Sequence, residues 1–152
     1  MKKIIALILL VFSTFISARE IVFSGSQKTD VSVTLEQLQA LPITSYTTNL
    51  PWISAPAKFD GVKLSTLLTQ IYGSIPEYTD IAGLNNYHSI LPRQDILRYE
   101  PILAFKKDGQ YIKIRDKGPY WVVYPLSSYP EIDRTEYHAQ MVWQVSQIEM
   151  KK

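Results

Sequence analysis

The sequence has 152 residues, 46% of them hydrophobic, with 16 basic and 14 acidic side chains and no cysteine. Without thiols there is no disulfide stapling, no cysteine nucleophile and no thiolate ligand for zinc, copper, an iron–sulfur cluster or molybdenum. The near balance of charge lacks the basic footprint of a nucleic-acid binder, so no nucleic-acid partner is expected.

Lys2 and Lys3 precede an apolar run from Ile4 to Phe12, which weakens through Ser13, Thr14 and Ser17 to Ala18. That order of charged, apolar and small residues reads as a signal peptide over residues 1–18, and the run is short for a bilayer span. The competing reading is an uncleaved N-terminal anchor. Export implies a periplasmic or secreted bacterial protein. Residues 19–152 then form a single domain of 134 residues, with 14 basic and 14 acidic groups. Repeats, low-complexity tracts and flexible linkers are absent from the sequence.

Arg19 to Ser24 and Asp30 to Val33 read as short strands around a Gly-Ser turn. Thr34, with Gln37 three residues on, is a capping-box signature for a short helix that ends by Pro42. The β-branched stretch Ile43 to Thr48 predicts a strand. Leu64, Leu67, Leu68, Ile71 and Tyr72 have the spacing of an amphipathic helix, which Gly73 stops. Tyr78 to Leu84 and Tyr87 to Leu91 read as strands, and Pro92 opens a helical turn over RQDILRY. In ILAFKKDGQYIKI, Asp108-Gly109 supplies the positive φ angles of a type I′ turn, so a hairpin is expected. Tyr120 to Tyr124 reads as a buried strand, YPEIDRTEY as loop with a short helical turn, and Met141 to Met150 as the closing strand. The fold class is therefore α+β with a mixed β-sheet and short helices.

Few residues carry obvious chemistry. His88 and His138 lack a second histidine or a carboxylate at helical spacing, so neither nucleates a metal site. A dispersed Ser-His-Asp arrangement stays open, although no G-x-S-x-G elbow is present. Glu131, Asp133 and Glu136 form an acidic run near a proline, which fits a solvated loop as readily as acid–base work. The aromatic residues say more. Tyr and Trp combine apolar area with a polar handle and often line ligand pockets. Trp121 and Trp143 read as core, whereas Trp52 and Tyr87 fit core and pocket equally.

Five stretches in order, FDGVKLSTLL (59–68), YHSILP (87–92), ILRYEPILAFKKDGQYI (96–112), KGPYWVVYP (117–125) and MVWQVSQIEM (141–150), resemble the molybdopterin-binding oxidoreductase domain of the sulfite oxidase type. The resemblance spans nearly all of residues 43–150. It implies a mixed α+β fold with a pterin pocket at the strand ends. The family holds molybdenum through a cysteine on the loop that is here NLPWISAPAKF, and this loop has none. Trp121 stands at the apparent position of a phosphate-binding arginine, and Val142 where a closing-strand lysine would lie. An indole offers neither charge nor bidentate donors.

The expectation is a non-catalytic exported domain of this fold with no cofactor. Its inherited cleft, drawn from Asn49, Trp52, Tyr87, His88, Lys117 and Tyr120, would hold a small molecule or the periplasmic region of a membrane signalling protein. The alternatives are a molybdenum cofactor oxidoreductase or pterin carrier without a cysteine bond, and a hydrolase built on a histidine and a serine.

Overall fold

The structure is a computed structural model and describes residues 19–25 and 30–152. The expected signal peptide, residues 1–18, lies outside the described residues. None of the helices among them is long and apolar enough to cross a membrane.

Two five-stranded sheets share one continuous core. In the first, β1 (Ile21–Ser24) pairs antiparallel with β2 (Val31–Val33) and parallel with β10 (Val145–Lys151). The order continues through β5 (Tyr78–Gly83) to β6 (His88–Pro92), both antiparallel, so this sheet is the mixed one. In the second, β3 (Thr44–Thr48), β4 (Ala57–Lys63) and β7 (Ile102–Lys107) run antiparallel. The short β8 (Gln110–Tyr111) and β9 (Trp121–Val123) both pair with β7. The α+β class holds, with two sheets in place of one.

The local signals act as their chemistry requires. Thr34 and Gln37 form the full reciprocal capping box on α1 (Leu35–Gln39). Helix α2 (Leu64–Tyr72) buries Leu64, Leu67 and Leu68 and ends on Gly73 in the left-handed conformation, and Pro92 opens α3 (Arg93–Tyr99). Asp108 and Gly109 both have positive φ, 49° and 80°, which closes the β7–β8 hairpin. Asp108 also fastens the neighbouring strand: its Oδ1 accepts from Lys58 N, and its own N–H donates to Lys58 O.

Two expectations need correction. NLPWISAPAKF is not simply a loop leading into a helix, because its last residues begin the seven-residue strand β4. There Gly61 lies so close to β7 that an added Cβ would overlap Leu103 O. The closing strand begins at Val145 and not at Met141, because Gln144 has φ 52° and kinks the chain. That kink is fastened on both sides: Gln144 N–H donates to Lys117 O, and Leu84 N–H donates to Gln144 O. Just before it, Trp143 makes an isolated bridge to Trp121. The segment from Met141 to Gln144 thus forms the seam between the sheets, and the aromatic residues gather there.

Candidate functional site

Trp52 lies in the turn between β3 and β4, 36% exposed. Its ring meets Trp143 at 5.3 Å and Trp121 at 5.9 Å between centroids, while Trp121 and Trp143 lie 6.5 Å apart. The sequence has three tryptophans, and all three are in this cluster. The imidazole of His138 meets Trp52 edge-on at 6.0 Å, and Phe59 backs Trp121 at 5.5 Å. Edge-to-face contacts of this kind suit the positive rims and negative faces of aromatic rings.

Cavities open on both sides of Trp52. On one side is an apolar chamber of about 280 Å³, walled by Trp52, Tyr87, His138, Met141 and Trp143, with Asn85 at its edge. Helix α4 (Thr135–Gln140) supplies His138, the seam supplies Met141 and Trp143, and the turn before β6 supplies Tyr87. Some of the polar atoms around this chamber are engaged within the protein. Tyr87 O–H donates to Ala139 O at 2.8 Å, Asn85 Oδ1 accepts from Tyr87 N–H at 3.2 Å, and His138 Nε2 lies 2.7 Å from Asp133 Oδ1.

On the other side is a smaller cavity of about 220 Å³, lined by Trp52, Trp121, Lys107, Arg115, Asp116 and Lys117. Lys117 follows a 3-10 turn over Ile114–Asp116 and takes a left-handed φ of 76°. Its Nζ lies 4.4 Å from the centre of the Trp143 ring and 6.0 Å from that of Trp121, a cation–π arrangement. Gly118 continues the turn so tightly that an added Cβ would overlap Ile112 O. Among the described residues, no carboxylate forms an ion pair with Lys107 or Lys117. Trp121 Nε1 is buried and has no hydrogen-bond partner among them.

Of the six residues expected at the cleft, Trp52, Tyr87 and Lys117 line these cavities. The other three lie elsewhere. Asn49 donates its backbone N–H to Ser127 Oγ and lines neither cavity. His88, one residue after Tyr87 on β6, has an exposed ring with Nδ1 3.2 Å from Asp80 Oδ1. Tyr120 is core: it is 1% exposed, its hydroxyl donates to Arg19 O, and burial pushes its pKa up to about 12. Sequence reasoning missed His138 as a cavity wall and placed Trp143 in the core. Trp121 is buried, as expected, but one side of it faces the cationic cavity.

Neither histidine has a serine hydroxyl within hydrogen-bond reach among the described residues; each pairs with an aspartate. No group of three His, Cys, Asp or Glu side chains there converges to hold a metal ion.

Neither a family model nor a curated protein matches the chain. Among solved structures, the fold is similar to the crystal structure of the sulfane dehydrogenase SoxCD from Paracoccus pantotrophus, with a TM-score of 0.65 and 16% sequence identity. The match covers 86% of this chain and 37% of that one. The likeness supports the α+β, sulfite-oxidase-like architecture and, at this identity, shows the fold alone.

Proposed function

We propose that this protein is an exported binding domain that uses a molybdopterin-domain fold without its redox chemistry and holds a small molecule in the cleft around Trp52. One observation carries the reading: a partly exposed indole lies between an apolar chamber and a cationic cavity, a combination of apolar walls and few charged groups that suits ligand capture. Export rests on the leader-like order of residues 2–18. A cavity of about 280 Å³ with mainly apolar walls suits a small molecule.

A molybdenum centre does not fit the donor set. The sequence has no thiolate to offer, and the loop expected to carry the ligand places an indole there, packed against two others. The two histidines are engaged with Asp80 and Asp133 and stand apart from any serine among the described residues, which gives no support to a hydrolase.

The test is mass spectrometry of small molecules that co-purify with the full chain, together with elemental and pterin analysis of the same sample. The expected result is an organic ligand released on denaturation, retained by the wild-type protein and lost from Trp52→Ala, with molybdenum well below stoichiometry. Stoichiometric molybdenum with a pterin would replace this reading with that of a pterin carrier.

A further inference from the structure

We propose that the ligand is a small organic anion on a flat aromatic body, with its ring in the apolar chamber and its anionic head on the Lys117 side of Trp52. This deepens the preceding reading and rests on it.

The chamber dictates the body. With the Tyr87 hydroxyl, Asn85 Oδ1 and His138 Nε2 engaged within the protein, it offers mainly ring faces, ring edges and the Met141 thioether, together with the Thr135 hydroxyl and the Asn85 amide nitrogen. Such walls select a flat apolar group and reward it through edge-to-face and sulfur–aromatic contacts. An apolar cavity of about 150 Å³ accepts benzene, so a chamber of about 280 Å³ has room for a fused bicyclic ring.

The opposite cavity dictates the head. Lys107, Arg115 and Lys117 face it with only Asp116 in opposition. Asp116 reaches Arg115 at 3.8 Å, and both side chains are mostly exposed, so the pair is weak. Lys107 and Lys117 thus bring charge without a carboxylate partner among the described residues.

Lys117 joins the two parts. Its ammonium lies 4.4 Å from the centre of the Trp143 ring, and Trp143 also walls the chamber. Lys117 lines the cationic cavity and not the chamber, so the carboxylate reaches that ammonium by passing the edge of Trp52. The same contact argues against a cationic ligand. Clustered indoles attract ammonium groups, but here Lys117 already takes that position.

Isothermal titration of the full-length protein with indole-3-acetate, indole-3-acetamide and tryptamine tests this, since the three share a ring and differ in charge. The acid is expected to bind at least about ten-fold more tightly than the amide, as a charge-assisted contact would give, and the amine is expected to bind most weakly. Acid binding should weaken between about 20 and about 300 mM salt while amide binding does not. Lys117→Gln should remove the preference for acid over amide. Lys107→Gln provides a second variant should Lys117→Gln, at its left-handed φ, fail to fold. If amide or amine binds as tightly as the acid, the charge assignment is overturned, and the cleft reading survives provided Trp52→Ala weakens that binding. If none of the three binds, or Trp52→Ala changes nothing, both readings fall.

Discussion

Replacing Trp52 by alanine tests the architecture of the site independently of any ligand. A tryptophan carries roughly 250 Å² of surface, and Trp52 is 36% exposed, so roughly 160 Å² is covered. At about 25 cal/mol per Å² that burial is worth about 4 kcal/mol as an upper bound, since the unfolded chain already hides part of it. Alanine retains a fraction of the covered area, and the cavities on both sides let the neighbouring rings relax. The edge contacts to Trp143 and His138 and the tilted contact to Trp121 pull the other way, each adding about 0.5–1 kcal/mol beyond area. The expected net loss is about 2–3 kcal/mol.

With a urea m-value of about 1.5–2 kcal/mol/M, the unfolding midpoint should fall by about 1–2 M with m unchanged. Far-UV circular dichroism reads that transition and carries a second signal. Three indoles within 6.5 Å of one another couple as excitons. The variant should lose most of the couplet and keep only the part due to Trp121 and Trp143. A midpoint shift below about 0.3 M, or a couplet unchanged by the substitution, would refute the packing described for Trp52.

Other expectations follow from the same geometry. Gly61→Ala pushes a methyl group into the Leu103 backbone of β7, and because a strand cannot swing aside like a side chain, a loss of about 3 kcal/mol or more, or insoluble protein, is expected. Expression yield and urea unfolding read this directly. Thr34→Ala removes the capping-box acceptor of a five-residue helix and should cost about 1 kcal/mol, visible as a lower Tm. Burial raises the phenol pKa of Tyr46, Tyr72 and Tyr120 to about 12, each from an ordinary 10.0. A phenol whose pKa is higher in the folded state contributes stability below pH 10 and loses it as pH climbs towards 12. Tyrosinate absorbance should therefore show these groups ionising only as the circular dichroism signal collapses. Ionisation of all ten tyrosines near pH 10 with the fold intact would contradict their burial.

What the sequence made legible was local. Helix α2, the capping box and the Asp-Gly hairpin each depend on residues within a few positions of one another, and each formed as its chemistry dictates. Strand β4 was harder to see because a bulge between Asp60 and Gly61 breaks its alternation, leaving Gly61 and Val62 both buried. The start of β10 was misplaced for a related reason: only the backbone angle of Gln144 interrupts an otherwise strand-like run. Trp52, Tyr87 and Lys117 were identifiable as large or charged groups beside turns. His138 and Trp143 become walls of the same chamber only once α4 and the seam are packed together, and neither has a sequence neighbour that reveals this. Tyr120 shows the converse: expected at the cleft, it is buried, and its hydroxyl donates inward to the backbone of Arg19.

The pairing of β1 with β10 sets the order in which the chain can become native. Gln147 reaches the Ser24 hydroxyl across 123 positions of sequence, and β10 lies between β1 and β5 in its sheet. A nascent chain halted before Val145 therefore has two strand pairs with nothing to join them. This sheet is completed only when β10 pairs with both, and so distant a closure is slow compared with the local contacts of a helical protein. Until β10 arrives, the exposed edges of β1 and β5 are open to pairing with other chains.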